Sequence, residues 1–318
     1  MTQSLVLGLD LGGTKVLGVA MAEDGAVVGE CRRPTPRGEA ALMDALGAVA
    51  GELCEVTAGR GEVTSVGVGA PGLVDRDGVL RAAPNLPGVE RLPLRAGLEA
   101  RLGLPVRADN DATCAAWGER QLGAARGNDH VIVVTLGTGI GGGIITDGRL
   151  YRGANGFAGE IGHMVVEPHG PLCPCGQRGC WERYASGSGL ARLAREAAHA
   201  GQAPRVLELA GGDAEAVRGE HVTRAAVEGD EGARAVFARF AWWLALGLAN
   251  LANVFDPQMF VIGGGLVEAG DVLFEPARAA FADLVEAADR RPDIAIVPAS
   301  LGERAGAMGA AALACELG

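Results

Sequence analysis

The segment Gly156–Glu182 reads GFAGEIGHMVVEPHGPLCPCGQRGCWE and holds His163, Cys173, Cys175 and Cys180. Three thiolates and one imidazole make a tetrahedral shell for Zn²⁺, a d¹⁰ cation suited to sulfur and nitrogen ligands. Four protein ligands leave no open position, so such a zinc is structural: it would pin a loop rich in Gly and Pro that has little means of packing itself. Glu160 and Glu182 flank the knot. Two carboxylates held beside a metal clip suit the vicinal hydroxyls of a polyol, since each oxygen accepts hydrogen bonds. Two other readings of the thiols stand beside this one. A disulfide is disfavoured because Cys173 and Cys175 are too near to pair comfortably and nothing suggests secretion; inert buried thiols are the plainer option. Cys31, Cys54, Cys114 and Cys315 are scattered in apolar or helical contexts and read as core residues.

A second set of residues suits phosphate. DLGGTK, with Asp10, Gly12, Gly13, Thr14 and Lys15, and LGTGIGGG, with Thr138 and Gly139, are both strand, Gly-Thr turn, strand. Glycine lets backbone N–H groups approach anionic oxygens, so two such hairpins facing one another would clamp a polyphosphate. Asp10 is placed to hold Mg²⁺ through water, and Thr14 and Lys15 to reach phosphate. Lys15 is the sole lysine of the chain. Neither hairpin is a Walker loop, and neither opens a helix as a dinucleotide fingerprint requires. Each taken alone could be a plain tight turn; the matching pair argues otherwise. Asp109, Asn110 and Asp111 form a third cluster where a strand gives way to a helix. They serve equally as an Asx helix cap or as a site in which one Asp accepts the proton of an attacking hydroxyl and Asn110 orients the substrate.

These clusters need a scaffold. At 318 residues the chain exceeds one hydrophobic core, so two domains are expected. Its 28 basic and 39 acidic residues give a net charge of −11, against a nucleic-acid partner. The opening MTQSLVLGLDLGG enters a strand pattern without a basic region or cleavage site, and the most apolar long segment, Ala233 to Phe255, carries Arg234, Arg239, Asn250 and Asn253. It reads as a buried helix, so no membrane partner and a cytoplasmic location are expected. The spacing predicts strands over Leu5–Asp10, Lys15–Met21, Ala26–Arg32, Val63–Gly69 and Val106–Ala108, with helices over Glu39–Ala58, near Leu92–Leu102 and from Asp111. A second round follows: the Thr135 hairpin, helices near Gly187–Ala200, Ala214–Glu228 and Ala233–Val254, strand Gln258–Ile262, helix Val272–Ala288, strand Ile294–Val297 and a closing helix from Ala305. Asp10 and Thr135 occupy corresponding places, which implies a duplicated α/β unit. The boundaries expected are 1–120 for the N-terminal domain, rejoined by helix 305–318, and 121–304 for the C-terminal domain with the zinc insert 156–182.

DLGGTK, the GxGxPG of Gly67–Gly72, PNLPG, DNDA, LGTGIGGG, GEIGH, CPCGQRGCWE with YASG, and VIGGG occur in an order that resembles the ROK family of bacterial sugar kinases, glucokinases most of all. The resemblance covers nearly the whole chain. It implies the actin-like ATPase (hexokinase-like) fold, two domains around a cleft, and ATP-dependent phosphorylation of glucose to glucose 6-phosphate. It implies Asp111 as general base and Asn85, Asn110, Asp111, Glu160, His163 and Glu182 around the sugar. Asp10, Gly12, Thr14, Lys15 and Thr138 would surround phosphate and Mg²⁺, with the hairpin glycines Gly13 and Gly139, while Gly264 and Gly265 would lie near the nucleoside. His163 then serves zinc through one ring nitrogen and sugar through the other. Partners implied are a hexose, a nucleotide and further copies of the chain, as dimer or tetramer. Kinases for N-acetylglucosamine, N-acetylmannosamine or fructose share most of these motifs, and a non-catalytic sugar-binding regulator is the reading from another class. The family's repressors carry a helix-turn-helix ahead of the first hairpin, for which four residues before Leu5 leave no room.

Overall fold

The structure is a computed structural model that describes residues 3–317. The chain begins with an antiparallel meander, β1 (Ser4–Leu11), β2 (Lys15–Ala22) and β3 (Val27–Pro34), followed by α1 (Glu39–Val56) and β4 (Glu62–Ala70). A small hairpin, β5 (Leu73–Val74) and β6 (Leu80–Ala82), precedes α2 (Leu94–Leu102), β7 (Val106–Asn110) and α3 (Asp111–Leu122). The first sheet has the order β3-β2-β1-β4-β7, with β4 parallel to both β1 and β7.

Period-two alternation along β1 and β2 decides what covers each face of that sheet. Leu7, Leu9, Leu11, Val16 and Ala20 point into a core with Leu42, Leu46, Val49 and Leu53 of α1 and Leu94 and Leu98 of α2. Val6, Leu17, Val19 and Met21 point the other way, against Ala307, Met308 and Ala311 of the closing helix. Burying each Leu, Val or Met among these is worth about 1.5–3 kcal/mol. The closing helix comes unusually near. A Cβ at Gly8 would lie 1.9 Å from the Ala307 carbonyl oxygen and one at Gly67 1.8 Å from that of Ala310, so only glycine on β1 and β4 admits it.

The second round repeats the pattern. β8 (Val131–Leu136), β9 (Ile140–Thr146) and β10 (Arg149–Leu150) lead into a long irregular segment, then α4 (Glu182–Ala185), α5 (Gly187–His199), α6 (Pro204–Leu209), α7 (Gly219–Val227) and α8 (Glu231–Phe255). β11 (Met259–Gly263), α9 (Asp271–Leu284), β12 (Ala295–Pro298) and α10 (Ala305–Ala314) complete the chain. The second sheet, β10-β9-β8-β11-β12, has the strand order of the first. The expected duplication is therefore present in the topology, and Asp10 and Thr135 are each the penultimate residue of their strand. The chain forms two compact units: residues through Val133 with Gly143–Gly159 and the segment from Ser300, and Val134–Gly142 with Glu160–Ala299.

Some expectations are corrected. The helix expected over Ala214–Glu228 is a 3₁₀ turn, Ala214–Ala216, and then α7, because Val217 and Arg218 are extended between them. The helix expected to reach Ala288 stops at Leu284, where Val285 turns extended. Cys31 and Cys114 are buried as expected, but Cys54 and Cys315 are exposed. Cys54 follows Leu53, the last buried residue of α1, and one step around a helix turns it off the apolar stripe. α8 is, among the described residues, the one helix long and apolar enough to cross a membrane; Phe237, Phe240, Ala241, Ala245 and Leu248 along it are fully buried within the protein.

Candidate active site

In the first unit the site is built where β7 becomes α3. Asn110 leaves the strand with φ −65° and ψ 146° and caps the helix: its side-chain oxygen accepts the Thr113 N–H at 3.0 Å, and its Nδ2 donates to the Gly72 carbonyl at 3.1 Å. Asp111, the first helical residue, accepts the Ala112 N–H at 2.8 Å. Burial raises its carboxyl above the usual range, against the pull of those backbone N–H groups and Asn110. Asp109 is buried with 5% exposure; one oxygen accepts the Asn110 N–H at 2.9 Å and the other the Arg152 Nε at 2.6 Å.

Asp10, at the end of β1, is the electrostatic neighbour of Asp111. Its carboxyl is pushed up to about 7, by burial first and by Asp111 second, with Lys15 opposing. It sits against Gly306 in the first turn of α10, where a Cβ would come within 2.8 Å of Asp10 Cγ. The turn itself is closed by Gly12 N–H to the Lys15 carbonyl at 2.9 Å and braced by Thr35, whose hydroxyl donates to the Gly12 carbonyl at 2.6 Å. Gly13 and Thr14 are exposed at its tip, with Asn85 alongside Gly13. Lys15 Nζ meets Glu303 Oε2 at 2.9 Å on an exposed surface, and Glu303 also takes Arg32. The first unit thus gathers Asp10, Gly12, Gly13, Thr14, Lys15, Asn85, Asn110 and Asp111.

The second unit holds the rest. The Gly137–Gly139 turn rests on the N-terminus of α5: the Gly137 carbonyl accepts the Gly187 N–H at 2.8 Å, and the Thr138 carbonyl accepts the Ser188 hydroxyl at 2.8 Å. Ser186 caps that helix, taking the Gly189 N–H at 3.1 Å. A cavity of about 1050 Å³ opens there, lined by Gly137, Thr138, Ser188, Gly265 and Leu266, with arginines and glutamates around them. It is large enough for a nucleotide, and helix N-termini and Gly turns favour anions. Gly264, at φ +88°, lies against the backbone of Leu136. Glu182 reaches the same hairpin, its Oε2 accepting the Ile140 N–H at 3.0 Å.

Around Glu182 the irregular segment closes on itself. The ligand atoms of His163, Cys173, Cys175 and Cys180 all lie within 4.8 Å of one another. Cys173 Sγ is 3.8 Å from His163 Nδ1, and Cys175 and Cys180 Sγ are 3.6 Å apart. A tetrahedral zinc with bonds of about 2.3 Å separates its sulfurs by roughly 3.8 Å, so the donor set fits that metal, whereas a disulfide would need about 2.05 Å. All seven cysteines are free thiols. His163 turns its Nε2 toward Glu160, 3.8 Å from Oε2, and Cys173 Sγ is 4.0 Å from Glu182 Oε1. The knot is anchored by Trp181, fully buried, whose Nε1 donates to the Trp243 carbonyl at 2.7 Å over Gly247.

Three contributors escaped the sequence reading. Trp181 stands inside a motif already noted, GCWE, and Ser188 directly follows another, YASG, so their roles could have been asked of their neighbours. Arg152 has no such signal; its partner Asp109 is 43 residues away.

Two sheets of one strand order, each opening on a Gly-Thr hairpin, define the actin-like ATPase fold. The ROK family profile matches residues 6–316, and the chain belongs to the ROK family. It is 41% identical over 315 residues to a glucokinase of Streptomyces coelicolor, covering 98% of each chain. It is 38% identical over 277 residues to an N-acetylmannosamine kinase of Shigella flexneri, covering 85% of this chain and 87% of that one. Among solved structures, a ROK family glucokinase from Streptomyces griseus in complex with glucose and AMPPNP superposes with a TM-score of 0.87 at 41% identity, over 98% of this chain and 99% of the other.

Proposed function

We propose that this protein is an ATP-dependent glucokinase that transfers the γ-phosphoryl group of ATP to the primary hydroxyl of glucose, giving glucose 6-phosphate. The observation that carries the reading is the placement of Asp111: a half-buried carboxylate at the start of α3, held by the Ala112 N–H, with an elevated pKa and with Asn110 fixed beside it. A poorly solvated carboxylate gains by taking a proton, and in a loose phosphoryl-transfer transition state the base chiefly has to be positioned. Asn85, Asn110, Glu160, His163 and Glu182 hold the remaining hydroxyls. The turn glycines Gly12, Gly13 and Gly139, with Thr14, Lys15 and Thr138, receive the phosphates, and Gly264 and Gly265 border the nucleoside. Lys15 must leave Glu303 to do so, an exchange between exposed partners that costs little.

Asp10 is the residue that would hold Mg²⁺, which when bound supplies charge neutralisation at the phosphates. Its elevated pKa means that the cation and a proton compete for one carboxylate. His163, Cys173, Cys175 and Cys180 would hold a structural zinc. With no open ligand position its contribution would be geometric: it would hold His163 between Cys173 and Glu160, with Glu182 beside them.

The test is a panel of hexoses and amino sugars with ATP, ranked by kcat/KM. Glucose should lead. An acetyl group at C2 replaces a hydroxyl donor, and a site built on that hydrogen bond rejects analogues lacking it. A higher kcat/KM for N-acetylglucosamine or N-acetylmannosamine would replace glucose with that amino sugar.

A further inference from the structure

The first unit contains a second cavity, of about 240 Å³, that shares no residue with the sugar, phosphate or nucleoside positions above. It lies among the β5–β6 turn, α2, β7 and the segment after β10, and its charged lining is Arg76, Arg95, Arg107 and Arg152 against Asp75 and Asp109. In a chain whose net charge is −11, four arginines around one small cavity are a local reversal of sign.

The two aspartates offset only part of that charge, Asp109 by pairing with Arg152. Asp75 spends one oxygen on the Asp77 and Val79 N–H groups, at 2.9 and 3.0 Å, and the other on Arg81, outside the set. Asp109 spends one on the Asn110 N–H and the other on Arg152 Nε. Arg76 is turned to the Gly153 carbonyl. Arg95 and Arg107 are half-buried, and neither side chain makes a hydrogen bond or ion pair among the described residues. Arg152 keeps a buried Nη2 with no acceptor. A buried guanidinium N–H without an acceptor is costly, and the Nη2 of Arg152 beside the two unpaired guanidinium groups of Arg95 and Arg107 in one cavity lining calls for a multidentate anion.

We propose that this cavity is a binding site for a phosphate group, in which Arg95, Arg107 and the Nη2 of Arg152 coordinate the oxygens of orthophosphate or of a phosphomonoester as small as a sugar phosphate. The volume is below the range of drug-sized pockets, which excludes a nucleotide. Planar guanidinium groups match phosphate oxygens bidentately, and the count of unused N–H donors suits a dianion. The site does not depend on the reaction proposed above.

The experiment is a titration of the full chain, by calorimetry and ³¹P NMR at constant ionic strength, with inorganic phosphate in one arm and glucose 6-phosphate in the other. Glucose and a non-hydrolysable ATP analogue are present throughout to occupy the other sites. Saturable binding is expected for the wild type. Arg95→Gln with Arg107→Gln should weaken it by about tenfold or more, since each lost charge-assisted contact is worth a substantial fraction of the affinity. Phosphate-free kcat/KM should be unchanged, which also establishes that the variant is folded; the single substitutions Arg95→Gln and Arg107→Gln serve if the pair is not. Tighter binding of the sugar phosphate identifies a product-sensing site, and equal binding identifies a free-phosphate site. No saturable uptake by the wild type, or equal uptake by wild type and variants, overturns the proposal.

Discussion

Asp111 and Glu182 are both carboxylates proposed to face the sugar, yet they are held in opposite ways. Asp111 stands at a junction of regular elements, where a strand register, a helix cap and the amide of Ala112 each restrict it independently. Glu160, His163 and Glu182 stand around a segment whose cysteines and histidine are brought together by turns, a single 3₁₀ turn and isolated bridges rather than by a sheet or a long helix. The first kind of site tolerates loss of one contact because neighbouring ones persist. The second makes every member depend on one four-ligand centre, so removing any ligand should release all of them.

The largest expected effect tests the first kind. Asp111→Asn keeps the shape and the helix start but removes proton acceptance, so kcat should fall by about 10²–10⁴-fold while the glucose KM moves little. Steady-state kinetics with glucose and ATP measure both. Turnover near the wild-type value would transfer the role of base to Asp109 or to water, and Asp109, committed to Arg152, is poorly free to serve.

Next comes the zinc knot. Cys175→Ala, or removal of metal by a chelator, should weaken glucose binding by roughly 10–100-fold, the range seen when the supporting shell of a metal site is disturbed. Binding of an ATP analogue should change far less, because the Gly137–Gly139 turn is held by the N-terminus of α5 as well as by Glu182. Metal analysis beside glucose and nucleotide titrations separates the outcomes. Wild-type protein that is active without stoichiometric zinc, or a metal-free variant with normal glucose affinity, would leave the knot with no role in positioning.

That contrast also explains what could be read in the sequence. The hairpins, the Asp109–Asp111 junction and the cysteine spacing are local, and their chemistry is carried by residues a few positions apart. The same reading had no access to contacts made across the fold. Glu119 is fully buried and accepts the N–H groups of Ser300 and Leu301, 181 and 182 residues on, yet in sequence it is one more Glu in a helix. The Arg152–Asp109 pair and the arginine cavity are hidden for the same reason. The errors in helix extent fall at Val217–Arg218 and Val285, where extended backbone interrupts a stretch of suitable composition.

A smaller effect concerns Asp10. In the unfolded chain its carboxyl titrates near 3.8, and in the folded protein near 7. Between those values the folded state holds a proton that the unfolded state has shed, so its contribution to stability is full below the lower value and is lost as pH rises through the upper one. Asp10→Asn resembles the protonated form. Without Mg²⁺, it should raise the Tm only modestly at pH 5, just above the unfolded value, and by several degrees more at pH 8, because each pH unit between the two values adds about 1.4 kcal/mol to the difference. Equal Tm differences at the two pH values would mean that Asp10 is ionised throughout.

The smallest effect probes the link between the knot and the second hairpin. Glu182 Oε2 accepts the Ile140 N–H at 3.0 Å, and a Cβ at Gly139 would come within 2.2 Å of that oxygen. Gly139→Ala therefore obliges the carboxylate to swing away from the amide, although the atom displaced is the end of a flexible side chain and can find water. Net loss of one charge-assisted hydrogen bond, partly compensated, should raise the glucose KM about three- to tenfold, with kcat changed less. The distinction lies in which KM moves. If Glu182 is the element that carries hairpin geometry to the sugar, glucose KM rises with zinc content unchanged and ATP KM nearly constant. A rise confined to ATP KM would mean that Gly139 is required only for the close approach of phosphate, and that Glu182 keeps its place through Trp181 and the metal ligands alone.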